Sequence, residues 1–83
     1  MKHFNAAVNF VPGDLIKSTT ESRWMYNSVG ENWLIGIRGD HFTGGLCLGV
    51  CQVPRGDKIL LVLDSKTCRI CWIYDDGELS KAN

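Results

Sequence analysis

Residues 44–74, GGLCLGVCQVPRGDKILLVLDSKTCRICWIY, decide the fold. Three apolar runs lie between two turn signals. In 46–53, Leu46, Leu48 and Val50 alternate with Cys47, Gly49 and Cys51, the two-residue period of a strand with unlike faces. Gly49, in mid-strand, predicts a bulge or sharp bend, of the kind a barrel corner needs. Pro54-Arg55-Gly56 suits a type I turn, with Pro second and Gly fourth. Residues 59–63, ILLVL, are apolar on both faces and predict a central strand. After a turn at 64–67, Cys68, Ile70, Trp72 and Tyr74 share one face of a strand and Arg69, Cys71 and Ile73 the other.

Outward from this meander the signals are shorter. Residues 1–9 suit an edge strand or a loose arm. Val11-Pro12-Gly13-Asp14 is a turn, Leu15-Ile16 opens a strand, and 17–22 is a polar loop. Residues 23–26, RWMY, make a short aromatic strand; 28–32 turn through Gly30, and 33–37 form the next strand. Residues 38–45, RGDHFTGG, read as a loop by composition. The segment 75–79 reads as one helical turn, and 80–83 as a frayed end. No stretch holds a helical period, so the chain is predicted to be all-β.

At 83 residues and 45% apolar content, this is one globular domain, 1–83. A core of that size supplies only about 3–5 kcal/mol, so a homo-oligomer is expected. Nine basic side chains balance nine acidic ones. A grip on long DNA or RNA draws on a surplus of Lys and Arg, so nucleic acid is not the expected partner. A small anion needs only one or two Arg. No secretory h-region and no membrane-length apolar run is present, which points to a cytoplasmic protein with reduced cysteines and no membrane partner.

Each candidate chemistry in the chain has a plainer reading beside it. Cys47, Cys51, Cys68 and Cys71 match zinc in number, but zinc knuckles place CxxC at a tight turn. Here Cys68 and Cys71 fall in a predicted strand, where residues three apart face opposite ways. Small-hydrophobe cysteines are the better reading, with no metal and no cofactor expected. His3 and His41 show no ligand spacing, and His41 as a base for Ser or Cys has only availability behind it. No catalytic residue is assigned and no enzyme is expected. Asp75, Asp76 and Glu78 lack the spacing of a cation loop. Arg-Gly-Asp occurs at 38–40 and 55–57, both where turn chemistry already calls for Gly and Asp. The aromatic and arginine content is the more informative feature. Arg23, Trp24, Tyr26, Trp33, Arg38, Arg69 and Trp72 combine rings that stack on bases with forks that pair with phosphate. For Trp72, which alternates with Ile70 and Tyr74, a core or subunit-interface role competes with ligand contact.

The opening Pro12-Gly13-Asp14-Leu15-Ile16 resembles the start of SH3-like small barrels, including KOW-type domains and many short phage-encoded proteins. Their Gly-Leu-x-Leu strand, GDK-type strand and Trp-ending strand have counterparts at 45–50, 56–63 and 71–74, with Leu79 as the closing apolar residue. The resemblance implies a small SH3-like antiparallel β-barrel, here with an extra aromatic hairpin at 19–42. Such barrels host peptide, RNA and small-ligand binding alike, so fold does not set function. The likeness to phage barrels implies an anti-defence sponge that sequesters a cyclic-nucleotide immune signal in a pocket between subunits. The alternatives are an inhibitor or adaptor docking a host protein through an aromatic strand, and an RNA- or DNA-binding barrel, disfavoured by the charge balance.

Overall fold

The computed structural model describes residues 9–19 and 23–82. Their seven strands are β1 (Leu15–Ser18), β2 (Trp24–Val29), β3 (Leu34–His41), β4 (Gly44–Gln52), β5 (Lys58–Asp64), β6 (Ile70–Tyr74) and β7 (Leu79–Lys81). All pairings are antiparallel, in the order β3-β2-β6-β5-β4-β1-β7. The chain is therefore all-β, with no helix among the described residues. Among the described residues the strand pairing leaves β3 and β7 as edges, so closure into an SH3-like barrel is not shown by the ladder.

The meander of β4, β5 and β6 forms as its sequence requires. β5 is central and flanked on both sides because it is apolar on both faces. The β4–β5 turn closes through the Gly56 amide donating to the Val53 carbonyl at 2.8 Å, with Gly56 at φ 110°. Such a φ is open to glycine and strained for other residues.

Residues 38–45 are not a loop: β3 runs to His41 and β4 starts at Gly44, leaving Phe42 and Thr43 as the link. Composition suggested a loop, but Phe42 is sealed in the core and pins the connection short. Residues 75–79 contain no helical turn. Gly77 takes φ 91°, and Leu79–Lys81 pair with β1 in place of fraying. Leu79 is buried, and that burial draws the C-terminal strand onto the sheet. The Gly49 bulge exists as a register shift between Cys47 and Gly49. It also changes the face assignment. Past the shift Val50 pairs with Leu60 on the face of Cys47, while Gly49 and Cys51 pair with Leu61 and Ile59 on the face of Leu46. Cys68, at φ 57°, lies outside β6. The reading of 1–9 falls outside the described residues apart from Asn9.

One face of the sheet carries the main core: Phe10, Ile16, Met25, Phe42, Cys47, Leu60, Val62, Cys71, Ile73 and Leu79. On the other face a smaller cluster joins Leu34, Val53 and Ile59 to Tyr26, Trp72 and Tyr74. The β2–β3 hairpin thus lays Leu34 across part of the second face.

Candidate binding face

Paired residues of an antiparallel ladder project to the same side. On the second face two cross-strand rows follow from the register. Leu15, Leu46, Leu63 and Ile70 form one across β1, β4, β5 and β6. Ile37, Tyr26, Trp72 and Leu61 form the other across β3, β2, β6 and β5. None of these eight side chains is charged. Leu15 is 45% exposed, Ile37 56% and Ile70 60%, and the others are partly buried. Trp24 alternates with the buried Met25 and so shares the side of Tyr26.

Three of the expected ligand residues therefore gather. Trp24, 41% exposed, lies with its ring centroid 4.2 Å from that of His41, tilted by 54°. Tyr26 meets Tyr74 edge-on with centroids 5.5 Å apart. Trp72 is half-buried beside them. Trp33 stands at the hairpin tip, 54% exposed.

The arginines do not join them as a group. Arg23 is turned inward and its guanidinium is occupied. Nη2 donates to Asp76 Oδ1 at 2.7 Å, Nη1 to the Tyr74 carbonyl at 2.9 Å and Nε to Ser18 Oγ at 3.3 Å. It ties the start of β2 to β1, to the end of β6 and to the turn before β7, and it has no fork left for phosphate. Arg38 pairs loosely with Asp40 at 3.7 Å and its side chain is largely covered. Arg69 is exposed, immediately before Ile70 at one end of the second face. Lys17 alternates with the buried Ile16 and stands on the side of Leu15. Neither Lys17 nor Arg69 enters an ion pair among the described residues. Sequence reasoning missed Lys17 as a rim cation because it read 17–22 as a loop. It missed the Leu15–Ile70 row because register across four strands is not written in any one of them.

An open pocket of about 310 Å³ shares Tyr74 with this face and is otherwise lined by Arg55, Asp57, Lys58, Asp75 and Asp76. Arg55 is held by Asp57 at 2.8 Å and Lys58 by Asn9 at 3.2 Å. Three carboxylates against two such engaged cations suit a phosphate poorly. Burial raises Asp75, whereas Asp76, pushed up by burial, is held below its ordinary value by the Arg23 guanidinium.

Cys47 and Cys71 flank Val62 in the core, and Cys51 and Cys68 are exposed. Burial pushes the Cys71 thiol up to about 11 and raises Cys47 as well. No helix of the described residues is long and apolar enough to cross a membrane. Comparison with family models, curated proteins and solved structures finds no match to the chain.

Proposed function

We propose that this chain is a non-catalytic binding protein that captures a small nucleotide-like ligand on the second face of its sheet, at a contact between copies. The observation that carries the reading is the convergence of Trp24, Tyr26 and Trp72 on one face, whose end bears Lys17 and Arg69, cations that enter no ion pair among the described residues. An aromatic face is worth about 1–3 kcal/mol per stacked base. An ammonium and a guanidinium at the rim offer charge-assisted hydrogen bonds to phosphate. The ligand set shifts from the one the sequence suggests, since Arg23 is spent on the fold and Arg38 is covered. Sequestration of a phage-directed immune signal is the biological role that fits such a binder.

The test is a thermal-shift panel of cyclic mono- and dinucleotides with tryptophan fluorescence as a second readout. Binding raises the melting temperature in proportion to ligand excess over Kd and quenches the indoles. Trp24→Ala and Arg69→Ala are each expected to weaken binding about tenfold with the wild-type melt retained. A panel without a shift at millimolar ligand rejects the reading.

Docking of a host protein is the second reading, favoured by the exposure of Trp33, Ile35 and Ile37 along the β2–β3 hairpin. It would act through side chains and not by strand addition, because the β3 edge is blunted. The Leu34 amide already donates to the Tyr74 hydroxyl at 2.8 Å, Gly36 takes φ 77°, and the ladder shifts register between Trp24 and Tyr26. In that case Trp33→Ala abolishes partner retention and nucleotides do nothing.

A further inference from the structure

We infer that His41 is a positioning residue for Trp24, fixing the indole in the attitude from which it stacks on a ligand base. This rests on the proposed nucleotide capture and adds to that site a residue that acts on the ligand only through Trp24.

The irregularity of the β2–β3 ladder is what brings the two rings together. Tyr26 pairs with Ile37, and a regular ladder would then set Gly39, which has no side chain, opposite Trp24. Instead Met25 alone opposes Arg38, Gly39 and Asp40, and the shift sets His41 opposite Trp24. Bulges re-aim side chains in this way and recur beside functional sites. Directly paired residues have Cβ atoms about 4.5–5.5 Å apart, within reach for two rings. The imidazole and indole centroids lie 4.2 Å apart, tilted by 54°.

Of the two rings, the imidazole stands on the firmer base. The His41 carbonyl accepts from Lys66 Nζ at 2.6 Å. The next residue, Phe42, is sealed in the core and donates its amide to the Arg23 carbonyl at 2.8 Å. Trp24 is 41% exposed, and among the described residues His41 is the one ring in contact with it. An exposed side chain that must be immobilised on binding gives up rotamer freedom, and one already immobilised does not. A fixed His41 therefore raises affinity without touching the ligand.

The imidazole does this by its shape and not by its polarity. His41 Nε2 is buried and has no hydrogen-bond partner among the described residues. Such an orphan atom is a cost to the fold that an apolar ring of similar outline does not carry. A phenyl ring at position 41 is expected to hold the indole as well as the imidazole does.

Nuclear magnetic resonance of the full ¹⁵N-labelled chain tests this before any ligand is added. The chain has three tryptophans, and the Trp24 indole signal is the one missing from Trp24→Phe. Its order parameter in the wild type is expected near the rigid value of about 0.85, and in His41→Ala below about 0.6. His41→Phe should keep the wild-type order and melt at the wild-type temperature or above it. The cyclic mono- and dinucleotides of the panel supply the second readout. Their dissociation constants should rise about threefold to tenfold in His41→Ala and stay within about twofold in His41→Phe. If His41→Ala does not fold, His41→Gln, which keeps polarity without the ring, decides in its place. An indole as ordered in the ring-less variant as in the wild type overturns the inference. So does a His41→Phe protein that loses order or binding. Nucleotide binding of equal strength with and without the ring overturns the positioning role and leaves ligand capture standing. A Trp24 that loosens without the ring, in a protein that no nucleotide stabilises, overturns ligand capture and leaves the hold on the indole standing.

Discussion

Arg23 shows how one side chain's role depends on what surrounds it. Next to Trp24 in sequence it has the signature of a recognition arginine, yet the fold encloses it and gives its guanidinium three partners from 51 to 53 positions away and from 5 positions away. Breaking a buried charged tie of this kind costs about 2–4 kcal/mol. Arg23→Ala is therefore expected to lower the urea midpoint sharply, with any loss of ligand binding following from the loss of fold. Urea titrations across pH separate the two neighbouring carboxylates. Asp75 is raised by burial, so protonating it favours the folded state, and stability rises slightly as pH falls through its folded value. For Asp76 the Arg23 tie outweighs burial and the folded value lies below 3.8. Its contribution is present above that ordinary value and is lost as pH falls through the folded one. The expected profile is a shallow maximum in mild acid and then a decline, with the decline reduced in Arg23→Ala.

Among the elements, β4 carries the tightest constraint. A Cβ on Gly45 would collide with the Leu63 carbonyl oxygen and crowd the Phe42 ring. The obstacle is backbone of the adjoining strand, so it cannot rotate away. Gly45→Ala should cost about 3 kcal/mol or more, read as a lower melting temperature, or prevent folding outright. Gly49→Ala is the contrast: its nearest neighbour would be Leu61 Cβ at 3.8 Å, an ordinary contact, and little change is expected. The strands of the meander were legible in sequence because each carries its own two-residue alternation and its own turn residues. β7 and the C-terminal half of β3 were not, because only pairing partners far along the chain make strands of LSK and RGDH. Ser18 to Leu79 and Trp24 to His41 are such pairings.

For the molecule as a whole, the two layers of apolar packing differ in kind. The first face carries the main buried core and holds Cys47 and Cys71 at about 1% exposure. Burial raises both thiols, which suppresses the reactive thiolate as well as access. A disulfide reagent at neutral pH should titrate Cys51 and Cys68 promptly and reach the other two only at the rate of global unfolding. Four thiols reacting at once would show that the core opens locally. The second face is only partly covered, by Leu34 and the hairpin, and it is there that the stacking residues and the uncharged rows meet. Of the site, the sequence showed which rings were in surplus but not that Trp24, Tyr26 and Trp72 would share a side. That depends on β2 lying beside β6, with 46 positions between the paired Tyr26 and Trp72.

All-β character, the β4–β5–β6 meander, its turn at Gly56 and the bulge at Gly49 were determined by the sequence alone, since alternation, proline and glycine act on neighbours a few positions apart. Which arginine is spent and which is free, which carboxyl is raised and which lowered, and which apolar residues form one face were decided only by tertiary structure. Those properties belong to strand order and register, and they arise between residues that the chain itself keeps far apart.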